Sequence, residues 1–402
     1  MQTIASVSSW LRGFVIVALY VSIFGCATTP VTETAPAAPA APVVVAPVPA
    51  PAPAPAQPPV VSAVVSEPAP VVTPLLVPPS TEPVGPHIAL LLPLNSKLFA
   101  KAADAVKQGF MSAAGQEVNG LPVRVYPCND ENTEVVALYQ QALKAGAVAV
   151  AGPLTRGGVA ALAANAELMT PTLALNTLEG ARSDQLYFFG LPAEAEARQS
   201  AQRATAAGLL SAYIVSTNTP LSKRLAQAFA DEWQRAGGIL RSEIVYAGDT
   251  TPLKELPQDP GNSVFLAAEL DKARLLRPYI TATIPVYSTS QVFAGNTRTL
   301  TNYDLSDVRF VDMPWMLQPD HPAVMIYPRS ATPLPPELDR LYALGIDAYR
   351  LLQVLFNRSY SSVLPLDGVT GKVTLSGHFF QREAILAIIR QGQGVPIDSK
   401  QR

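Results

Sequence analysis

The sequence has little of what most chemistry requires. It holds two cysteines, Cys26 and Cys128, too few for a disulfide framework, and neither has an evident partner within a packed fold. Cys128, in Tyr-Pro-Cys-Asn-Asp, has no histidine in a supporting position and reads as a partly buried thiol rather than a nucleophile. The three histidines, His87, His321 and His378, are far apart and form no HExxH or paired spacing, so no metal site and no cofactor are expected. No GxSxG elbow, GxGxxG turn or GxxxxGK[ST] loop occurs, and SxxK with SDN and KTG is absent too. A chain without these groups is not expected to be an enzyme. Charge of one sign is also missing. One basic residue (Arg12) and three acidic ones (Glu33, Glu67, Glu82) precede His87, leaving 28 of the 29 basic and 28 of the 31 acidic side chains for the rest. A neutral domain offers no electrostatic footprint for nucleic acid. The apolar run from Phe14 to Phe24 is too short for a membrane span, which needs about 20 residues.

What is abundant is proline, 39 residues of it, nearly half before His87. Pro30 to Pro86 is dominated by APAAPAAPVVVAPVPAPAPAPAQPP, where repeated proline fixes φ and removes donors, so neither helix nor sheet is expected. Such a stretch favours extended polyproline II at about 3.1 Å per residue, a reach on the order of 170 Å. Ahead of it, residues 1–25 read as an export signal, with Arg12 supplying positive charge and the short apolar run the core. Gly25-Cys26 resembles the lipobox of bacterial lipoproteins, although Phe24 stands where a small residue is usual. That resemblance implies acylation of Cys26, palmitate included, and Ala27 after it implies sorting to the outer membrane. Several acyl chains give a durable anchor where one does not. The chain is thus expected to divide into a signal peptide (1–25), a lipidated proline/alanine-rich linker (26–86) and a folded part (87–402).

The folded part opens on HIALLLPLNSKLFAKAADAVKQGFMSAAG. Ile88 to Leu92 is apolar on both faces, as a strand covered by helices on either side reads. Phe99, Ala102, Val106, Phe110 and Ala113 then fall on one helical stripe, with Asn95 or Ser96 placed to cap it. Strands are expected at Pro122–Tyr126, Ala147–Ala151, Thr172–Leu175 and Tyr187–Gly190, with helices around Glu134–Ala145 and Arg156–Leu168. The pattern repeats with helices at Glu194–Ala207, Ser222–Gly237 and around Asp271–Tyr279. Its strands are expected at Tyr213–Val215, Leu240–Tyr246, Val264–Ala267, Pro285–Ser288 and Val308–Asp312. A helix from about Pro336 to Asn357 and a terminal strand through Gly368–Leu375 complete the pattern. Alternation of this kind predicts an α/β fold of two lobes, each a doubly wound, mostly parallel sheet.

Six segments, in order, carry a family resemblance: LLPLNSKLFAKAADAVKQGFMSA, YFFGLPAEAEARQSA, PVYSTSQVF, VRFVDMPWML, LYALGIDAYRL and LDGVTGKVTL. Over roughly residues 87–380 the chain resembles the LppC family of penicillin-binding protein activators, which carry a domain similar to type I periplasmic substrate-binding proteins. Larger members have a helical-repeat domain ahead of this one, where this chain has its proline-rich stretch. The resemblance implies an outer-membrane lipoprotein that binds and activates a peptidoglycan synthase, a class A penicillin-binding protein. It would regulate cell-wall synthesis without catalysis. It also implies three crossings between lobes, near Pro192, Gln318 and Ser361, giving lobe 1 at about 87–191 and 319–361 and lobe 2 at about 192–318 and 362–402. Asp347 and Tyr349 resemble family positions.

Ligands of open α/β sheets bind outside the carboxyl ends of the strands. The candidates there are Asn95, Ser96, Thr155, Asn176 and Thr177 in one lobe and Ser288, Thr289 and Ser290 in the other. Their hydroxyls, amides and helix N-terminal N–H groups suit a carboxylate. No arginine or acid accompanies them in a pattern that would clamp an amino acid. That absence counts against a bound amino acid and leaves the cleft equally readable as a vestige without a ligand; the rival function is a periplasmic receptor for an amino acid or peptide fragment. Asp312 and Trp315, in Asp-Met-Pro-Trp after a strand, are candidate partner contacts, with Trp315 equally able to plug the cleft or fill the core. Trp233 is expected to be packing.

Overall fold

A computed structural model describes residues 84–180 and 183–397. The export signal, Cys26 and the proline-rich stretch up to residue 83 lie outside the described residues.

The folded unit begins β1 (His87–Leu92), α1 (Ala100–Ala114), β2 (Val123–Pro127), α2 (Glu131–Lys144), β3 (Ala147–Ala151), α3 (Arg156–Asn165), β4 (Thr172–Ala174) and β5 (Leu186–Phe188). A second series follows as α4 (Ala193–Ala206), β6 (Ser211–Ser216), α5 (Pro220–Arg235), β7 (Ile239–Val245) and α6 (Thr251–Lys254). It continues with β8 (Asn262–Ala267), α7 (Leu270–Leu276), β9 (Val286–Ser288), α8 (Thr299–Asn302) and β10 (Val308–Asp312). Then come α9 (Pro314–Leu317), α10 (Pro322–Met325), α11 (Pro336–Asn357) and α12 (Tyr360–Val363). The last strands are β11 (Leu366–Asp367), β12 (Lys372–Ser376), β13 (Phe379–Glu383), β14 (Ile385–Arg390) and β15 (Gln393–Pro396).

Two sheets result, with strand orders β11-β12-β13-β5-β4-β3-β1-β2 and β15-β14-β10-β9-β8-β6-β7. The β5-β4-β3-β1-β2 and β10-β9-β8-β6-β7 runs are parallel, and the chain's last strands extend each sheet through antiparallel hairpins. The chain leaves the first sheet after β5, leaves the second after β10, and changes sheet a last time at Ala384, between β13 and β14. The crossing expected near Ser361 therefore falls about one hairpin later, and residues 366–383 belong with the first sheet. Nor is the strand through Leu375 terminal. Three more follow it, because Phe379–Glu383 and Ile385–Arg390 are separated by a single residue.

Every residue of β1 is buried. Ile88, Leu90 and Leu92 pack on one side with Val106, Phe110, Tyr342 and Ile346 from α1 and α11. Ala89 and Leu91 pack on the other with Val135, Tyr139 and Leu162 from α2 and α3. Helix α1 meets α11 at backbone distance. A Cβ on Gly109 would lie 1.8 Å from the Tyr342 carbonyl oxygen, and one on Gly345 would lie 2.1 Å from the Val106 carbonyl oxygen. In the second sheet's core Trp233 is fully buried and stacks on Phe229, which stacks on Phe265.

Candidate functional site

At the end of β1, Asn95 is exposed and donates its backbone N–H to the Cys128 carbonyl at 3.0 Å. Ser96 Oγ accepts from the N–H groups of Leu98 (3.4 Å) and Phe99 (3.3 Å). Helix α1 starts only at Ala100, and Phe99 before it supplies no side-chain cap. Neither Asn95 nor Ser96 caps this helix, then, because a turn intervenes, and Phe99 leaves the apolar stripe to stand 44% exposed. At the end of β3 the expected cap is present: Thr155 Oγ1 accepts from Gly158 N–H at 3.1 Å. Asn95, Ser96 and Thr155 share the lining of a depression of about 790 Å³ with Leu98, Phe99, Asn132 and Arg156. Asn176 stands apart, donating its side-chain N–H to the Leu154 carbonyl (3.0 Å) and accepting from Thr177 N–H (3.0 Å).

The amides at the β3 end are already filled. Leu154 N–H donates to Glu131 Oε1 at 2.8 Å and Thr155 N–H to Oε2 at 2.7 Å. Glu131 is the first residue of α2 and is buried. Burial pushes its carboxyl up from the ordinary range, and the two amide bonds pull against that shift. Two glycines make room for Glu131 and its neighbour Asn132. A Cβ on Gly158 would sit 2.6 Å from Glu131 Cβ, and one on Gly157 would sit 1.8 Å from Asn132 Oδ1. The chain's own carboxylate thus takes up the amides that the sequence offers to a ligand's carboxylate.

The second lobe repeats the arrangement. Ser288, Thr289 and Ser290 are buried, and of the three Ser290 lines the cavity between the lobes. Ser288 Oγ donates to the Leu266 carbonyl at 2.7 Å, and Thr289 Oγ1 accepts from Gln291 N–H at 3.4 Å. Ser290 N–H donates to Glu196 Oε2 at 2.9 Å. Glu196, on α4, is buried and also takes Arg382 Nη2 of β13. Asp312 is buried, against its reading as a partner contact, and Trp315 is buried in the core, one of the places the sequence left open to it. Asp312 accepts from Arg340 at 3.1 Å (Nε) and 2.6 Å (Nη2). Burial works against the Arg340 charge, and Asp312, with Glu196 and Asp339, more than offsets it. Trp315 donates Nε1–H to Asp339 at 2.7 Å, while its ring lies between Tyr342 (5.4 Å) and the Arg329 guanidinium (3.8 Å).

Glu131, Glu196, Arg340 and Arg382 were missed in the sequence. Glu196 had a signal, because it stands four residues ahead of Ser200 and eight ahead of Ala204 on the buried stripe of α4. Arg382 had none, since β13 was not anticipated. Arg340 and Glu196 border a cavity of about 410 Å³ at the junction of the lobes, whose mouth carries the exposed Arg298 and Glu337. Asp347 is structural. It accepts from the N–H groups of Val369 (3.2 Å) and Thr370 (2.8 Å), pinning the turn before β12. Cys128 is buried against the Leu92 carbonyl, its thiol pushed up to about 12 by burial and then by Glu131, Glu134 and Asp130. Among the described residues no three His, Cys, Asp or Glu side chains gather as metal ligands, and no helix is long and apolar enough to cross a membrane.

The sequence profile of the family described as "LppC putative lipoprotein" matches residues 80–255 and 247–383. The chain belongs to the LppC family. A curated relative, the penicillin-binding protein activator LpoA of Haemophilus influenzae, is 26% identical over 295 residues, covering 71% of this chain and 50% of the relative. The chain therefore spans about half the length of that protein and is its distant homologue. Among solved structures, the LpoA C-domain from H. influenzae, described as a regulator of PBP1A, superposes with TM-score 0.64 at 25% identity. That match covers 78% of this chain and all of the other. A Chromobacterium violaceum protein described as "a putative branched-chain amino acid ABC transporter" gives TM-score 0.67 at 36% identity, covering 76% of this chain and all of the other. This LppC chain has the α/β two-sheet fold of the periplasmic binding proteins.

Proposed function

We propose that this LppC protein is an outer-membrane lipoprotein, anchored through Cys26, whose folded unit binds and stimulates a class A penicillin-binding protein without chemistry of its own. The observation that carries the reading is the family match through residues 80–383, together with the complete coverage of a domain described as a regulator of PBP1A. The buried, high-pKa state of Cys128 agrees with it, since that thiol is neither accessible nor ionised at neutral pH. Activation by a non-catalytic partner is a bias on the synthase's conformations, and needs contacts that differ between its states. In the test, the full chain is added to a purified class A penicillin-binding protein and glycan polymerisation is followed. A rate that rises and saturates with the chain supports the reading, whereas no binding and no rate change with the cognate enzyme removes it.

The rival is an interlobe receptor for an amino acid or peptide fragment, and the likeness to the C. violaceum protein favours it. Against it stand the strand-end amides of both lobes, which hold Glu131 and Glu196 rather than solvent. The same preparation, titrated with amino acids and muropeptides, would gain melting temperature by mass action if the rival held.

A further inference from the structure

We propose that a buried four-charge latch, Arg382–Glu196 and Arg340–Asp312, holds the two lobes of this chain in one relative orientation without any ligand. Both cations come from the first lobe, Arg382 on β13 and Arg340 on α11, which packs along α1. Both carboxylates come from the second, Glu196 on α4 and Asp312 at the end of β10. Side-chain exposures are 6% and 5% for the first pair and 9% and 0% for the second. The pairs meet at one residue: Ser290 donates its N–H to Glu196, and its carbonyl accepts from Arg340 Nη2 at 3.1 Å. Arg340 also reaches the Phe293 carbonyl at 3.1 Å, and Arg382 the Thr370 carbonyl at 3.3 Å, so the guanidinium donors are met on several sides.

A hinged receptor has to let its lobes part to admit ligand. Parting here would break both charge-assisted pairs at once, together with the Arg340 bonds to the Ser290 and Phe293 carbonyls, and the water admitted would have to replace all of them. The last crossing is braced as well, because Gln199 on α4 donates to the Ala384 carbonyl (2.7 Å) and accepts from Ala384 N–H (3.1 Å). Nearer the surface, Arg203 pairs with Glu383 at 2.6 Å and Arg156 with Glu194 at 3.8 Å, both across the lobes. Glu196 does for the second lobe what a ligand's carboxylate does in a receptor. It binds the strand-end amide and ties it to the opposite lobe, but it is permanently attached. The domain is thereby a fixed platform that presents both lobes as one surface, whichever partner it meets.

The test uses the full chain with spin labels on keto amino acids at exposed Val118 in the first lobe and Leu300 in the second, leaving the cysteines untouched. Pulsed dipolar spectroscopy is expected to give a single narrow distance, unchanged by leucine, glutamate or a muropeptide. Arg382→Gln is expected to add a second distance population. Arg382→Lys, which keeps the charge but loses the planar fork, serves if that variant does not fold, with the same expectation. Glu131→Gln, which disturbs only the first lobe, should leave the distance as it was. A broad or two-peaked distance in the wild type overturns the latch, and so does a shift on adding an amino acid. It is equally overturned if the Arg382 variants keep the single narrow distance or if Glu131→Gln moves it. None of these readouts involves the synthase, so they fail or succeed separately from the proposed function.

Discussion

Single side chains decide what this cleft can do, and the decisive ones are acids that look inward. Glu131 follows Asp130, which caps α2 by accepting from Asn132 N–H at 3.0 Å, so in sequence Glu131 is one more acid in a helix's first turn. Its role depends on the β3 turn, 23 residues on, offering two amides, and on Gly158 leaving space for it. That coincidence has no local signature, which is why Thr155 was legible as a cap while the carboxylate beside it was not. Cys128 gives a test at the same scale. A thiol raised to about 12 in the fold, against about 8.5 in an unfolded chain, stays protonated where the unfolded chain ionises. Its contribution to stability is therefore complete below about pH 8.5 and is lost as pH rises toward 12. At pH 8, maleimide labelling of the Cys128 peptide, read by mass spectrometry, should be negligible in the native protein and complete in denaturant. Rapid native labelling would contradict the burial on which the non-catalytic reading leans.

Elements with strong local periodicity were readable in advance, and those defined by distant partners were not. Ala147–Ala151, Val308–Asp312 and Pro336–Asn357 coincide with the expected spans, because apolar runs and a long amphipathic stripe carry their own signal. The strands β13 and β14 carry a weaker one. Half-exposed Phe379–Glu383 runs almost directly into Ile385–Arg390, of which only Ala387 to Ile389 are buried, and the change of sheet at Ala384 is held by Gln199, 185 residues earlier. In the sequence Trp315 stays open between surface and core for a similar reason, since Asp339 and Tyr342, which bury it, lie on a helix that begins after a long connection. The close approach of α1 and α11 gives the test here. Gly109→Ala and Gly345→Ala each push a methyl into a backbone carbonyl that cannot rotate away, so a loss of about 3 kcal/mol, the upper end of overpacking, is expected for each. Gly115→Ala, at φ −67° with no atom nearer than 3.4 Å, should instead be neutral or slightly stabilising. Urea midpoints at unchanged m-value measure both. Equal midpoints for all three variants would mean that the helices do not meet as described.

For the molecule as a whole, a fixed two-lobed unit and a long proline-rich lead are complementary if the proposed function holds. A domain that does not open has no use for a transporter's geometry. A domain that acts by touching an enzyme in another membrane must be delivered to it. Between Cys26 and the first described residue, composition offers only proline, alanine and valine-rich sequence, with no charged run that would bind a surface on its own. Its length, rather than any contact it makes, then sets the effective concentration of the unit at its target, and that concentration falls to nearly zero once the span cannot be bridged. Removing residues 36–83 while keeping Cys26 and the folded unit should therefore leave stimulation of the purified synthase unchanged. In cells the same deletion should abolish the effect on peptidoglycan incorporation, with normal lipidation and protein level. Restoring the length with an unrelated proline/alanine sequence should restore activity. If the shortened chain works as well in cells, or if an unrelated spacer fails to rescue it, the stretch does something other than bridge a distance.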